Sequence, residues 1–317
     1  MADATTTNGK PEGSAKLRAG SWGGVLKRTV AEFKQDKLTI WAAALTYYGI
    51  LSLFPLLLVL VSILGLLGQS ATQPLIDNVG NLAPGPAKEI ISGAIENLQQ
   101  GKGAAGILLI AGLAGALWSA SGYVAAFMQA SNAIWDVEEG RPFWKTIPLR
   151  LAITLVTVVL LAVMALAVVL TGPVAEFVGD VVGLGSTAVT VWDIAKWPVL
   201  ILIVSFLFAF LYWASPNVRH PGFRWVTPGG LLAVLLWIVA SAAFAFYVAN
   251  FGSYNKTYGA LGGAVTFLVW LWLSNIAVLL GAELNAELER GRAIEAGHPE
   301  DEEPFLEPRD TRKMKEA

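Results

Sequence analysis

Apolar residues arrive in long blocks separated by short polar connections, and six of these blocks reach the length that a membrane span needs. They run over about 38–68, 103–135, 151–171, 192–214, 227–249 and 261–286. A run of about 20 apolar residues crosses a hydrocarbon core about 30 Å thick, whereas core helices of water-soluble proteins interrupt such runs with a polar face. Between Ala152 and Leu170 nothing is more polar than Thr154 and Thr157, so a helix there is apolar on every side. The pattern predicts an all-α, polytopic membrane helix bundle of about six transmembrane helices with additional interfacial amphipathic helices.

The flanks read differently. Residues 1–20 and 291–317 are polar and charge-rich and are expected to be disordered tails around a transmembrane domain over 21–290. Just before the first block, Trp22, Val25, Leu26, Thr29, Val30 and Phe33 recur at helical spacing while Lys27, Arg28 and Lys34 take other faces. That pattern suits a helix lying in an anionic leaflet, or one packed on the protein. From Gln69 to Lys102 the sequence predicts a hairpin broken at Ala83-Pro84-Gly85-Pro86, either a cover for the mouth of the bundle or a passive interfacial helix.

Charge sets the expected orientation. Lys and Arg concentrate before the first block, at Arg141, Lys145 and Arg150, at Arg219 and Arg224, and beyond the sixth block, whereas the alternate connections hold only Lys88, Lys102, Lys196 and Lys256. The positive-inside bias then places both termini in the cytoplasm. Cysteine is absent, which excludes disulfides and thiol chemistry, and with 55% hydrophobic and 15% charged residues a soluble fold is disfavoured.

Blocks one and two exceed the thickness of a bilayer, so each is expected to tilt, break or project. Pro55 lacks the N–H that would bond to the Leu51 carbonyl, which predicts a bend there, with Tyr47, Tyr48 and Ser52 turned into the bundle. Ser121, Ala125, Gln129 and Asn132 follow helical steps and predict a polar stripe on block two. Such stripes serve as interhelical glue or as a cavity lining. The stretch 250–262 offers Asn250, Tyr254, Asn255 and Tyr258 among glycines, as a tight re-entry or a ligand-contacting loop. Glu283 is the one acid singled out within the blocks; it reads either as an interfacial glutamate near Arg290 or Arg292 or as a proton-linked carboxylate.

Five runs in order carry a resemblance: AALTYYGILSLFPLLL at 43–58, SNAIWDVEEGRPFWK at 131–145, SPNVRHPGFRW at 215–225, SYNKTYGALGGAV at 253–265 and LLGAELNAELER at 279–290. Over about residues 25–290 the chain resembles the YihY/BrkB family of bacterial inner-membrane proteins, once labelled ribonuclease BN-like. The resemblance implies six helices, a place in the bacterial inner membrane and, in some members, links to serum resistance and envelope lipids. The residues speak against the ribonuclease label. Metal-dependent hydrolysis needs clustered His and carboxylate ligands, and the chain has only His220 and His298. No phosphate-binding loop of the ATPase type occurs, and neither a cofactor nor a nucleic-acid partner is expected. Two functions stand: a transporter or flippase-like facilitator for a lipid or other amphiphile, or a non-transporting scaffold for protein partners in the envelope.

Overall fold

The computed structural model describes residues 22–66, 105–169, 175, 186–220, 222–250 and 254–315; side chains of 53–66, 105–109, 111, 112, 116, 169, 186, 249, 250, 254–261 and 315 fall outside that description. Seven α-helices follow one another: α1 (Trp22–Gln35), α2 (Leu38–Leu66), α3 (Ala105–Ile134), α4 (Phe143–Val169), α5 (Ser186–Ala214), α6 (Pro228–Asn250) and α7 (Tyr254–Glu295). A short 3-10 turn closes the chain at Lys313–Lys315. Among the described residues there is no strand, only an isolated bridge between Val218 and Pro308.

Four of these helices contain stretches long and apolar enough to cross a membrane: Phe143–Val168, Thr187–Ala214, Pro228–Val248 and Gly262–Glu295. Their apolar surface is largely uncovered by protein; in the most apolar window of Pro228–Val248 only 6% is buried. So much bare apolar surface requires lipid around it, because water-soluble chains rarely expose patches of more than a few hundred Å². The apolar part of α2 described with side chains is Leu38–Ser52, and the hairpin expected over 69–102 lies outside the described residues.

The contacts divide the chain into two compact units. One combines residues 1–43, 127–143 and 208–317 and contains α1, the start of α2, the ends of α3 and α5, and all of α6 and α7. Here α6 and α7 touch backbone to backbone: a Cβ on Gly229 would collide with the Gly281 carbonyl, and one on Gly281 would lie 2.8 Å from the Tyr212 hydroxyl. Small residues at such a crossing allow the approach, as they do in membrane bundles generally. Alongside, Val25 of α1 is buried against Leu284 and Leu288 of α7. Thus α1 is packed on the protein by one face, while Trp22, Leu26 and Val30 remain exposed on another.

In the other unit, 44–126 with 144–207, α2 continues as a helix through Pro55. The Leu51 carbonyl that Pro55 leaves without a helical donor accepts instead from the Ser119 hydroxyl of α3, 3.3 Å away. Several sequence expectations change. Tyr47 does not turn into the bundle but is 61% exposed; Tyr48 lies edge-on to it and against Gly122, and the half-buried Ser52 bonds to the Gly49 carbonyl in its own turn. The stripe on α3 is split: Ser121 and Asn132 are buried whereas Gln129 is exposed. At about 100° per residue, Asn132 lies about 20° round from Ser121 but Gln129 about 80°, enough to leave the covered face.

The stretch 250–262 is not a loop of that length. Asn250 ends α6 and α7 begins at Tyr254, so Tyr254, Asn255 and Tyr258 occupy its first turns, with their side chains outside the described residues. At the other end, residues 291–295 complete α7 rather than starting a disordered tail, and the chain beyond folds back. Phe305 is 6% exposed between Trp135 and Arg290, and backbone bonds run from Arg219 to Glu307 and from Arg309 to Asn217. Those bonds hold a segment that its composition would leave loose.

Candidate functional site

Polar side chains of the first unit gather where α3 and α5 end and α6 begins, and they form three neighbouring features. The first is a knot across three distant chain segments. Asn132, in the last turn of α3, accepts from the Asn217 backbone N–H at 2.7 Å and donates to Glu139 at 3.1 Å. Glu139 also takes Arg141 through Nε and Nη2, both at 2.7 Å, and the Arg141 Nη2 reaches the Ser215 carbonyl. Asn217 donates to the Glu138 and Asp310 carbonyls and accepts from the Asp310 N–H. Gly140 completes the knot, since its carbonyl accepts from Lys313 and any Cβ there would strike the Asp310 backbone. Burial raises the Glu139 carboxyl, but its bonds to Arg141 and Asn132 outweigh that and hold it below the usual range.

Beside the knot is a pocket of about 70 Å³. Trp135, Tyr212 and Trp213 supply an aromatic wall, and Thr227, Asn285, His220, Arg224 and the Glu289–Arg292 ion pair supply polar groups. Its floor is fixed by a cap on α6: Thr227 accepts from the Gly230 N–H at 3.0 Å, and Asn285 of α7 accepts from Gly229 and donates to Thr227. Tyr212 is pinned by its hydroxyl, which donates to the Val278 carbonyl at 2.7 Å. The His220 ring meets the edge of Trp135 at 4.8 Å; burial, then the nearby Arg309 charge, pushes its pKa down to about 4, so it is neutral at physiological pH. Its Nε2 is buried without a partner among the described residues, which leaves an acceptor at the pocket.

The third feature is a seam of acids between α1, α7 and the chain end. Glu287 of α7 pairs with Arg28 of α1 at 2.6 Å and lies 3.6 Å from Arg290, which also reaches Glu32 at 3.3 Å and Glu303 at 3.1 Å. One turn earlier, Glu283 is 1% exposed, and its Oε2 meets no N–H or hydroxyl donor among the described residues. The ionisable groups that act on it most strongly are Asp36, Glu287, Glu32 and Asp136, all acids. Asp36, in the turn between α1 and α2, is hydrogen-bonded to the Glu283 carboxyl; burial, then Asp136 and Glu32, pushes Asp36 up to about 7. Glu283 therefore does not sit with Arg290 or Arg292, since Arg290 serves Glu287, Glu32 and Glu303 and Arg292 serves Glu289.

Of the residues singled out by sequence, the structure brings Asn132 into the knot and Glu283 into the acidic seam, and leaves Tyr47 and Gln129 exposed. Sequence reasoning missed Asp36, Glu287 and Asn217, although Glu283, Glu287 and Arg290 follow i, i+4, i+7 spacing on one helix face. It also missed Lys196, placed among the loop charges. Lys196 lies within α5, 2% exposed, paired with Asp193 at 2.7 Å. Among the described residues no group of three or more His, Asp or Glu side chains is arranged to hold a metal ion.

Long helices whose apolar faces lie open, tied at one end by a polar cap, define an integral membrane protein of the multi-pass helical class. The sequence pattern of the family described as Virulence factor BrkB matches residues 29–304, and the chain belongs to that family. It is 31% identical over 258 residues to the ribonuclease-like protein YfkH of Bacillus subtilis, covering 81% of this chain and 92% of that one. It is 33% identical over 267 residues to a UPF0761 membrane protein of Alkalilimnicola ehrlichii and 28% identical over 296 residues to one of Xanthomonas campestris. The chain spans only 57% and 63% of the length of those two relatives. No solved structure matches.

Proposed function

We propose that this protein sits in the bacterial cytoplasmic membrane with both termini inside and works, without enzymatic chemistry, as a facilitator that passes a lipid or other amphiphile through the bilayer. The observation carrying this reading is the pocket at the end of α5 and α6. It combines an aromatic wall with cationic Arg224 and Arg292, a neutral His220 acceptor and the Thr227–Asn285 pair. Trp and Tyr suit a site that is apolar at one end and wet at the other. At about 70 Å³ the space is far below the roughly 300 Å³ of a whole-ligand pocket, so it fits a polar head group whose tails stay in lipid. The basic connections Arg219–Arg224 and Arg290–Arg292 support a cytoplasmic side for this pocket.

A specific observation also favours the scaffold reading: the knot around Asn217 stiffens a surface made of three chain segments, which is what a docked partner needs. Transport separates the two. In proteoliposomes loaded with head-group-labelled amphiphile, the facilitator reading predicts that an impermeant quencher removes label from both leaflets. Loss of only the outer-leaflet label, as in protein-free vesicles, would leave the scaffold.

A further inference from the structure

In the acidic seam, charge does not balance. Asp36 and Glu283 face each other within a group that also contains Glu32 on α1, Asp136 after α3, Glu287 on α7 and Glu303 in the chain end. The cations there are Arg28 and Arg290, and both are engaged: Arg28 with Glu287, Arg290 with Glu287, Glu32 and Glu303. No cation is paired with Glu283, whose Oε2 is buried and meets no donor among the described residues. Two carboxyl groups in hydrogen-bond contact need one proton between them, because neither ionised group can donate. With two negative charges in its place the contact becomes repulsive, and the burial of Glu283 weakens the screening.

We propose that Asp36 and Glu283 form a proton-binding site, a carboxyl pair that holds one proton between its oxygens and so keeps α1 closed on α7. The ligand is a proton rather than a metal ion, since the described acids are not arranged as a metal cage. On release the proton passes to solvent beside the half-buried Asp36, and the two carboxylates left behind repel one another and the surrounding acids. On α7 the contact of Val25 with Leu284 and Leu288 begins at the residue next to Glu283, so repulsion at the pair acts on the same α1–α7 seam. This inference does not rest on the amphiphile reading; the seam is proton-linked whether or not the protein transports anything.

The test is infrared spectroscopy of the full-length protein in vesicles, titrated with alkali. The pair predicts a protonated-carboxyl band that shifts with isotope-labelled glutamate, disappears as alkali is added, and is missing from Glu283→Gln. If Glu283→Gln does not fold, Asp36→Asn must move the midpoint of the labelled-glutamate band instead. A band unchanged in both variants overturns the assignment, as does its absence from the wild-type protein at acid pH. So does its removal at constant pH by sodium or potassium salt, which would make the occupant a metal cation.

Discussion

The knot around Asn217 and the seam around Glu283 belong to the same compact unit and draw on the same residue types, yet they settle their polar groups differently. In the knot, Glu139 is partnered by Arg141 and Asn132 nearby in the chain, while Asn132 and Asn217 reach other chain segments, down to the backbone of residues 138 and 310. In the seam, Arg28 and Arg290 face Glu32, Asp36, Asp136, Glu283, Glu287 and Glu303, and the buried Glu283 is set against another acid. Satisfied networks make one structure rigid, whereas an uncompensated buried carboxyl makes stability depend on a proton. The comparison therefore assigns architecture to the knot and responsiveness to the seam.

The largest effect expected is in the knot. Asn217→Ala deletes three side-chain hydrogen bonds and strands the Glu138 and Asp310 carbonyls, so thermal unfolding in detergent should show a loss of about 3 kcal/mol with no dependence on pH between acid and neutral conditions. In the seam, Arg28→Met leaves Glu287 with the longer contact to Arg290 alone. A loss of about 2 kcal/mol is expected, measured in the same way and growing as pH rises.

Smaller, but opposite in sign, are the effects of the two titrating groups. Asp36 is held above its ordinary 3.8 at about 7, so its contribution is complete below 3.8 and is lost as pH climbs to about 7. His220 is held below its ordinary 6.5 at about 4, so its contribution is complete above 6.5 and is lost as pH falls to about 4. Removing Asp36 as Asp36→Asn should make stability rise more steeply with pH across its window, and His220→Asn should make it rise less steeply between about 4 and 6.5. Each change is about 1 kcal/mol once solvent screening of partly exposed groups is allowed for. The smallest effect belongs to the exposed Arg219–Glu307 pair, 64% and 81% open to solvent, where Arg219→Ala should cost less than about 0.5 kcal/mol.

Helices were legible because hydrophobic blocks dominate the chain, and the loss of a donor at Leu51 followed from Pro55 alone. Which hydroxyl would replace that donor did not follow, because Ser119 comes from another helix. The ordered chain end was illegible for a related reason: its sequence is charged and Pro-rich, and its order comes from backbone bonds to Asn217 and Gly140, more than 90 residues away. The adjacent Phe305 and Leu306, large apolar residues in a charged run, were the available signal. Glycines at 252, 259 and 262 argued for a loop, but α7 runs through the last two, since packing in lipid outweighs their weak helix preference. For the site, sequence gave Glu283 without Asp36, because nothing in spacing shows that the α1–α2 turn folds over that glutamate.

The central functional claim concerns what enters the pocket beside Trp135 and His220. Native mass spectrometry of the purified full-length protein, offered phospholipids of differing head group, tests it most directly, with Arg224→Glu as the comparison because Arg224 lines the pocket and belongs to neither the knot nor the seam. The account predicts that the wild-type protein retains one anionic phospholipid more tightly than its zwitterionic counterpart and that Arg224→Glu abolishes the preference. Equal retention of both head groups by the wild-type protein, or a preference untouched by Arg224→Glu, would contradict it.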